Sequence, residues 1–153
     1  MNEEIKKFLY EIDLSKDLQL NKHGEWLHQG ARISKQSISD YFFRSLKYDP
    51  ESNTYFLEIG KGRATVEVED TPFFVLSFDT STLPWILNLS GETRHPLLPE
   101  SLFIGNENQI YCLINNGQDR ARFSRSAHQT LLHYAVSDDQ VIIGGRHYVL
   151  SKT

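Results

Sequence analysis

One short segment occurs in both halves of this 153-residue chain. Ala31-Arg32-Ile33-Ser34-Lys35 is matched, position by position, by Ala121-Arg122-Phe123-Ser124-Arg125. Further matches lie on both sides of this segment and follow in the same order. They are Leu18–Trp26 with Leu102–Ile110, and Tyr55–Leu57 with Tyr148–Leu150. Three ordered matches indicate an internal duplication, so each copy should fold into the same arrangement of elements.

Hydrophobic periodicity predicts short strands on either side of one helix in each copy. Apolar and polar residues alternate over Thr54–Ile59 and Ala64–Glu69, which is typical of half-buried strands. The helix of the first copy is predicted to begin with a capping box at Ser37, and that of the second at Ser126. The predicted helical stripes are Ile38, Tyr41, Phe42, Ser45 and Leu46 in one copy, and Ala127, Thr130, Leu131, Tyr134 and Ala135 in the other. The fold class is therefore α+β and strand-dominated, with a duplicated strand–strand–helix–strand–strand unit.

The predicted organisation has four parts. Residues 1–17 hold an amphipathic helix with Phe8, Leu9 and Ile12 on its apolar stripe. Residues 18–79 form the first repeat, with Phe73–Phe78 as its last strand. Residues 80–100 carry three of the five prolines and are predicted to be a connector. Residues 101–153 form the second repeat.

Composition narrows the classes of partner. The net charge of −4 argues against non-specific binding to duplex nucleic acid or to an anionic membrane. No apolar run approaches the roughly 18 residues of a membrane helix, and the N-terminal segment lacks a signal-peptide core. The expected location is therefore the cytoplasm. Cys112 is the single cysteine, and its apolar surroundings predict a buried thiol.

Motifs for catalysis are absent from the sequence. It contains no nucleophile elbow, no phosphate loop before a helix and no zinc-protease motif. The histidines His128 and His133 are five residues apart on a predicted helix, so they diverge rather than share a metal, and the pair His23/His28 spans a turn. Gly60–Arg63 has the glycines and cations of an anion cradle, but it joins two strands, which favours a hairpin turn. We therefore expect no catalytic residues, no metal and no cofactor, and predict that the protein is not an enzyme.

Arg32 and Arg122 are the main predicted binding residues. Because the residues flanking each arginine are apolar and predicted to point inward, both guanidiniums should point to the opposite face. Equivalent residues of duplicated copies often lie near the axis that relates them, where two guanidiniums would form a bidentate clamp for an anion. The alternative is that each arginine pairs with a carboxylate, such as Glu69 or Asp70, or is solvated.

Three further residues have both a functional and a structural interpretation. Trp26 could offer a stacking face to a ligand, or could pack in the core. Glu69 and Asp70 could select polar groups of a ligand, whereas Asp70 could equally bind the backbone N–H groups of its own turn. The sequence leaves these alternatives open.

Several motifs together resemble a bacterial family of unknown function, DUF1285. They are G-x-W ending at Trp26, G-A-R-I at 30–33, the helix, Tyr55–Leu57, V-E-V-E-D-T-P-F at 66–73, and A-R-F-S-R at 121–125. The likeness runs from Leu18 to Leu150, and V-E-D-x-P-F is its most specific element. The resemblance implies a two-part duplicated fold whose second part is loosely similar to a pleckstrin-homology barrel. It also implies a nucleotide-like ligand held between the copies and a role in bacterial signalling.

The residues that match the family pattern are Trp26, Arg32, Glu69, Asp70, Arg122 and, more weakly, Arg125. The predicted function is non-catalytic binding of a small anionic, nucleotide-like ligand at the interface of the two repeats. The alternative is a protein-interaction adaptor that uses a sheet edge or the N-terminal helix. The oligomeric state and the pathway are left open by the sequence.

Overall fold

A computed structural model describes residues 3–11, 13, 17–59 and 62–152. The chain divides into two compact units, Met1–Pro72 and Phe73–Thr153. No helix among the described residues is long and apolar enough to cross a membrane.

The described residues of the first unit form two helices and one six-stranded sheet. The helices are α1 (Glu3–Glu11) and α2 (Gln36–Ser45). The strands are β1 (Leu18–Leu20), β2 (Trp26–His28), β3 (Ala31–Arg32), β4 (Leu46–Asp49), β5 (Thr54–Ile59) and β6 (Gly62–Val68). The sheet order is β3-β2-β1-β6-β5-β4. Neighbouring strands are antiparallel except β1 and β6, which are parallel.

The core of the first unit forms where α2 covers one face of this sheet. Ile38 and Phe42 lie four residues apart on α2 and are fully buried, as expected for the apolar stripe of a surface helix. Phe42 packs edge-to-face on Trp26, with ring centroids 5.1 Å apart. The sheet contributes alternate residues to the same core: Leu18, Leu20, Leu57, Ala64 and Val66.

The helix α1 is held against α2. Ile5 is buried, and the ring of Phe8 lies 6.3 Å from that of Phe42 in an edge-to-face arrangement. Phe8 and Leu9 are half-buried, while Ile12, the third residue of the predicted stripe, lies outside the described residues. A helix this short is marginal in water by itself, so packing must supply its stability.

The second unit contains one helix and two sheets. The helix is α3 (Arg125–Leu132), and Pro99–Ser101 forms a single 3₁₀ turn. The larger sheet has the order β16-β10-β11-β12-β7-β8-β9 and the smaller β13-β14-β15. The strands of the larger sheet are β7 (Phe73–Asp79), β8 (Ile86–Leu89), β9 (Thr93–Pro96), β10 (Phe103–Ile104), β11 (Ile110–Ile114), β12 (Asp119–Phe123) and β16 (Ser151–Lys152). Those of the smaller are β13 (Ala135–Ser137), β14 (Gln140–Ile143) and β15 (Arg146–Val149).

The core of the second unit is aliphatic at its centre and aromatic at one side. Ala127 and Leu131 of α3 are buried four residues apart, as Ile38 and Phe42 are in α2. Cys112 is fully buried, and burial raises the pKa of its thiol to about 12. The predicted buried thiol is therefore confirmed.

The duplication is confirmed in strand order and in register. In each unit, three antiparallel strands, β1–β3 or β10–β12, lead into a helix. Three strands follow the helix in the first unit and four in the second, and the last of them runs parallel to β1 or β10, respectively. Arg32 is paired with Leu27 across β2 and β3, and Arg122 with Tyr111 across β11 and β12. The two arginines thus occupy equivalent positions. The repeated unit is longer than predicted, because β4 and β13 were not recognised from the sequence.

One of the three sequence matches is wrong. Tyr55–Leu57 lies in β5, which pairs with strands on both sides, whereas Tyr148–Leu150 begins in β15, which pairs only with β14 in its sheet. The equivalent of β5 is therefore β14. The error arose because alternation of large apolar residues is common to all half-buried strands and does not identify one of them.

The predicted boundary between the repeats is also wrong. Phe73–Asp79, assigned to the first repeat, pairs in parallel with β12 and belongs to the second unit. The predicted connector contains β8, β9 and the 3₁₀ turn. Two prolines of this segment lie where regular structure tolerates them. Pro96 ends an edge strand and Pro99 begins a 3₁₀ turn, and at both places a missing backbone N–H costs little.

Both helices begin earlier than predicted. The N-cap of α2 is Lys35, which forms no side-chain cap, so Ser37 does not begin a capping box. The N-cap of α3 is Ser124, whose Oγ accepts a hydrogen bond from the Ala127 N–H at 3.2 Å, and Ser126 lies inside the helix. Leu46 and Ala135, placed in helical stripes from the sequence, begin β4 and β13.

Candidate functional site

A cavity of about 420 Å³ in the first unit includes Arg32 among its walls. It lies between α1, the end of β2, β3 and the segment that leads into α2. We call it the α1 cavity. Its lining residues are Phe8, Glu11, His28, Ala31, Arg32, Ile33, Ser34 and Lys35.

Arg32 reaches this cavity from β3, the edge strand of the sheet. Its Nε lies 3.0 Å from the Glu25 carboxylate, and its side chain is 67% exposed. The predicted partners Glu69 and Asp70 are thus replaced by Glu25. Ala31 is exposed rather than inward-pointing, because a two-residue edge strand leaves it uncovered. An ion pair this exposed contributes little to stability, so the guanidinium can exchange its partner for an anionic ligand at small cost.

Lys35 stands at the start of α2, where its Nζ lies 3.0 Å from the Glu4 carboxylate of α1. The hydrogen bond from Lys35, its positive charge and, more weakly, a hydrogen bond from Ser37 hold the pKa of Glu4 below its ordinary value. Glu4 therefore lies beside the first turn of α2. There a carboxylate is favoured by the partial positive charge of the helix end.

His28 supplies a third basic side chain to the wall. Its Nε2 lies 2.7 Å from the carbonyl oxygen of Asp13, so the ring donates this hydrogen bond. Phe8 and Ile33 form the apolar part of the cavity. An apolar floor with a few convergent polar groups is the usual composition of a small-molecule site.

Trp26 lies in the core and not on a binding surface. Its side chain has no exposure to solvent, and it packs edge-to-face on Phe42 and on Phe43, at 5.1 and 5.4 Å between centroids. Its Nε1–H has no hydrogen-bond partner among the described residues. A ring enclosed in this way offers no stacking face to a ligand, so the core interpretation replaces the stacking one.

Glu69 stabilises a turn of the first unit. Its Oε1 accepts a hydrogen bond from the Lys22 N–H at 2.8 Å, and its own N–H donates to the Leu20 carbonyl oxygen at 2.9 Å. Asp70 follows it and is half-buried. Neither residue lines the α1 cavity.

Arg122 lies in the second unit, on β12, opposite Tyr111 on one side and Phe74 on the other. Its neighbours Ala121 and Phe123 are buried, which confirms the predicted alternation. Burial lowers the pKa of His128 below its usual value, and the charge of Arg122 lowers that pKa further. Arg125, the first residue of α3, is exposed. The predicted joint clamp of Arg32 and Arg122 stays a prediction.

Two other cavities lack the features of an anion site. The wall of the α1 cavity has three basic residues and one acidic residue, Glu11. By contrast, a cavity of about 830 Å³ beside β5 and β6 has two acidic residues, Asp17 and Glu67, in its wall. Its one cation, Arg63, lies 2.9 Å from Asp49 and stacks 3.5 Å above the Phe56 ring, so two structural contacts already hold it. The other, of about 660 Å³ in the second unit, has no charged residue in its wall.

Three residues near Arg32 were missed from the sequence. Lys35 could have been identified from the sequence, because it is the counterpart of Arg125 in the duplicated segment. His28 and Glu4 could not, since their positions depend on the turn after β2 and on the docking of α1. No cluster of three or more His, Cys, Asp or Glu among the described residues is arranged to hold a metal ion.

No protein-family model and no curated protein matches this chain. Two solved structures do. A DUF1285 family protein from Shewanella baltica OS155 aligns with a TM-score of 0.58 and 18% identity, over 82% of this chain and 98% of that one. A DUF1285 family protein from Silicibacter pomeroyi DSS-3 aligns with a TM-score of 0.63 and 14% identity, over 90% of this chain and 80% of that one. The chain therefore has the fold of the bacterial DUF1285 family, as its sequence resemblance predicted.

Proposed function

We propose that the first unit binds a small anionic ligand without catalysing its conversion, and that the ligand occupies the α1 cavity. The observation that supports this most strongly is the convergence of Arg32, Lys35 and His28 on a cavity with an apolar floor. A nucleotide-like molecule combines the two parts that such a cavity favours, an anionic group and a planar ring.

The basic side chains would hold the anionic group. Arg32 can form two parallel hydrogen bonds to a phosphate or carboxylate, and Lys35 adds a point charge. Both now form exposed ion pairs, with Glu25 and Glu4. The apolar side chains of Phe8 and Ile33 would contact the ring. The volume of about 420 Å³ lies within the roughly 300–1,000 Å³ typical of small-molecule sites.

A non-catalytic role is supported by the hydrogen bonds of the wall. Ser34 is the one hydroxyl residue of the cavity lining, and His28 is the one histidine. His28 Nε2 is engaged by the Asp13 carbonyl, and no hydrogen bond joins the ring to Ser34 among the described residues. A nucleophile needs a base within hydrogen-bond reach, so a reaction at this site is not supported.

The proposal predicts that Arg32→Ala weakens the binding of adenosine monophosphate to the full chain. Loss of a charge-assisted hydrogen bond costs about 1.5–3 kcal/mol, which is roughly ten- to a hundredfold in the dissociation constant. Arg32→Lys should recover part of the loss, since an ammonium keeps the charge but not the fork. Isothermal titration calorimetry at fixed ionic strength measures the three constants.

Lys47→Ala is the matched control. Lys47 also forms an exposed ion pair in the first unit, with Glu58 at 3.1 Å, and its loss changes the net charge equally. It does not line the α1 cavity. Equal binding by wild type and Arg32→Ala, or equal weakening by Lys47→Ala, would refute the site.

A further inference from the structure

The two copies of the repeat begin their helix in different ways. In α3, Ser124 caps the first turn with its own hydroxyl. In α2, the equivalent first turn has no side-chain cap from Lys35. The anionic partner of that turn comes instead from another helix, because Glu4 of α1 bonds Lys35 at 3.0 Å and interacts with Ser37.

The described contacts of α1 with the rest of its unit include one buried side chain, one ring pair and one ion pair. Ile5 is buried, and the ring centroids of Phe8 and Phe42 lie 6.3 Å apart in an edge-to-face arrangement. The ion pair of Glu4 with Lys35 is exposed, with side-chain accessibilities of 47% and 60%. The Glu4–Lys35 ion pair can open without disturbing the core, because local opening requires only the local contacts to break.

We infer that the Glu4 carboxylate occupies the place of the ligand's anionic group, so that α1 is an internal competitor at the α1 cavity. This inference rests on the proposed function. The Lys35 ammonium must leave Glu4 before an external phosphate or carboxylate can contact both Arg32 and Lys35. A ligand that also carries an apolar part gains contact with Phe8 and Ile33, so it should bind more tightly than inorganic phosphate.

The competition has a simple quantitative consequence. If only a fraction of molecules has Lys35 released, the apparent dissociation constant rises by the inverse of that fraction. An exposed ion pair of this kind is weak, so it shifts an equilibrium constant only severalfold. Removing the charge of Glu4 should therefore tighten anion binding by about two- to fivefold.

The test compares Glu4→Gln with Glu3→Gln in the full chain, with inorganic phosphate as the probe at constant ionic strength. Glu3 is the matched control, because it lies on the same helix, carries the same charge and pairs with Lys6 of α1 instead of with α2. Calorimetry should show tighter phosphate binding for Glu4→Gln and unchanged binding for Glu3→Gln. Hydrogen exchange of the α1 amides should quicken when phosphate is added to the wild type.

The outcomes separate the two proposals. Suppose that the wild type binds phosphate, that Glu4→Gln binds it no more tightly, and that hydrogen exchange of α1 is unchanged. The proposal that Glu4 competes with the ligand is then refuted, while the proposed binding site is retained. If neither the wild type nor Glu4→Gln binds phosphate or adenosine monophosphate, both proposals are refuted. If Glu3→Gln and Glu4→Gln both bind phosphate more tightly, the cause is a general charge effect. That result would also contradict the proposal that Glu4 competes with the ligand.

Discussion

At the scale of single residues, side-chain direction was more predictable than side-chain role. The period of two in strands placed Arg122 on the face opposite Ala121 and Phe123, and the structure agrees. The partners of Arg32 and Glu69 were not predictable, because they come from turns whose geometry the sequence does not specify. Glu25 and Lys22 both lie near the turn between β1 and β2.

Trp26 gives a stability prediction at this scale. Trp26→Ala should destabilise the protein by about 3–5 kcal/mol, because it leaves a large cavity beside Phe42. Trp26→Phe should cost only about 1–2 kcal/mol, because the lost Nε1–H has no partner among the described residues and no hydrogen bond is broken. Chemical denaturation measures both values. A loss for Trp26→Phe that clearly exceeds this range would indicate that the indole N–H is hydrogen-bonded in solution.

At the scale of elements, periodicity located α2 and α3 but not their first residues. The helix α3 begins at the last residue of the duplicated segment, and α2 begins one residue after it. Ser34 and Ser124 are counterparts in that segment. Only Ser124 became a cap, since α2 begins one residue later relative to its serine. Caps depend on backbone angles at a single residue, and a serine every few positions offers several choices to a sequence-based prediction.

The cap of α3 can be tested by substitution. Ser124→Ala should lower the free energy of unfolding by about 0.5–2 kcal/mol, because the Ala127 N–H loses its acceptor. Ser126→Ala is the control, since Ser126 lies inside α3 and its hydroxyl caps nothing among the described contacts. Thermal or urea denaturation of the two variants checks the assignment. A larger effect at Ser126 would restore the capping box predicted from the sequence.

At the scale of the whole molecule, the duplication was predictable and the unit boundary was not. The segment A-R-[IF]-S-[KR] aligns the two copies at Arg32 and Arg122. The strand register confirms that these two residues occupy equivalent positions. The strand β7 was misassigned because it follows β6 closely in sequence but pairs with β12, far along the chain. Pairing between distant segments leaves no periodic trace in the sequence. The α1 cavity was missed for the same reason, since α1 forms one of its walls.

Binding of an anionic ligand in the α1 cavity of the first unit can be measured directly. Isotope-labelled protein is titrated with adenosine monophosphate, and the amide chemical shifts are followed in NMR spectra. If the ligand binds there, saturable shifts should appear at residues 31–36 and on α1, with smaller changes beside Asp17 and Glu67. Saturable shifts confined to other regions, or none at millimolar ligand, would contradict it.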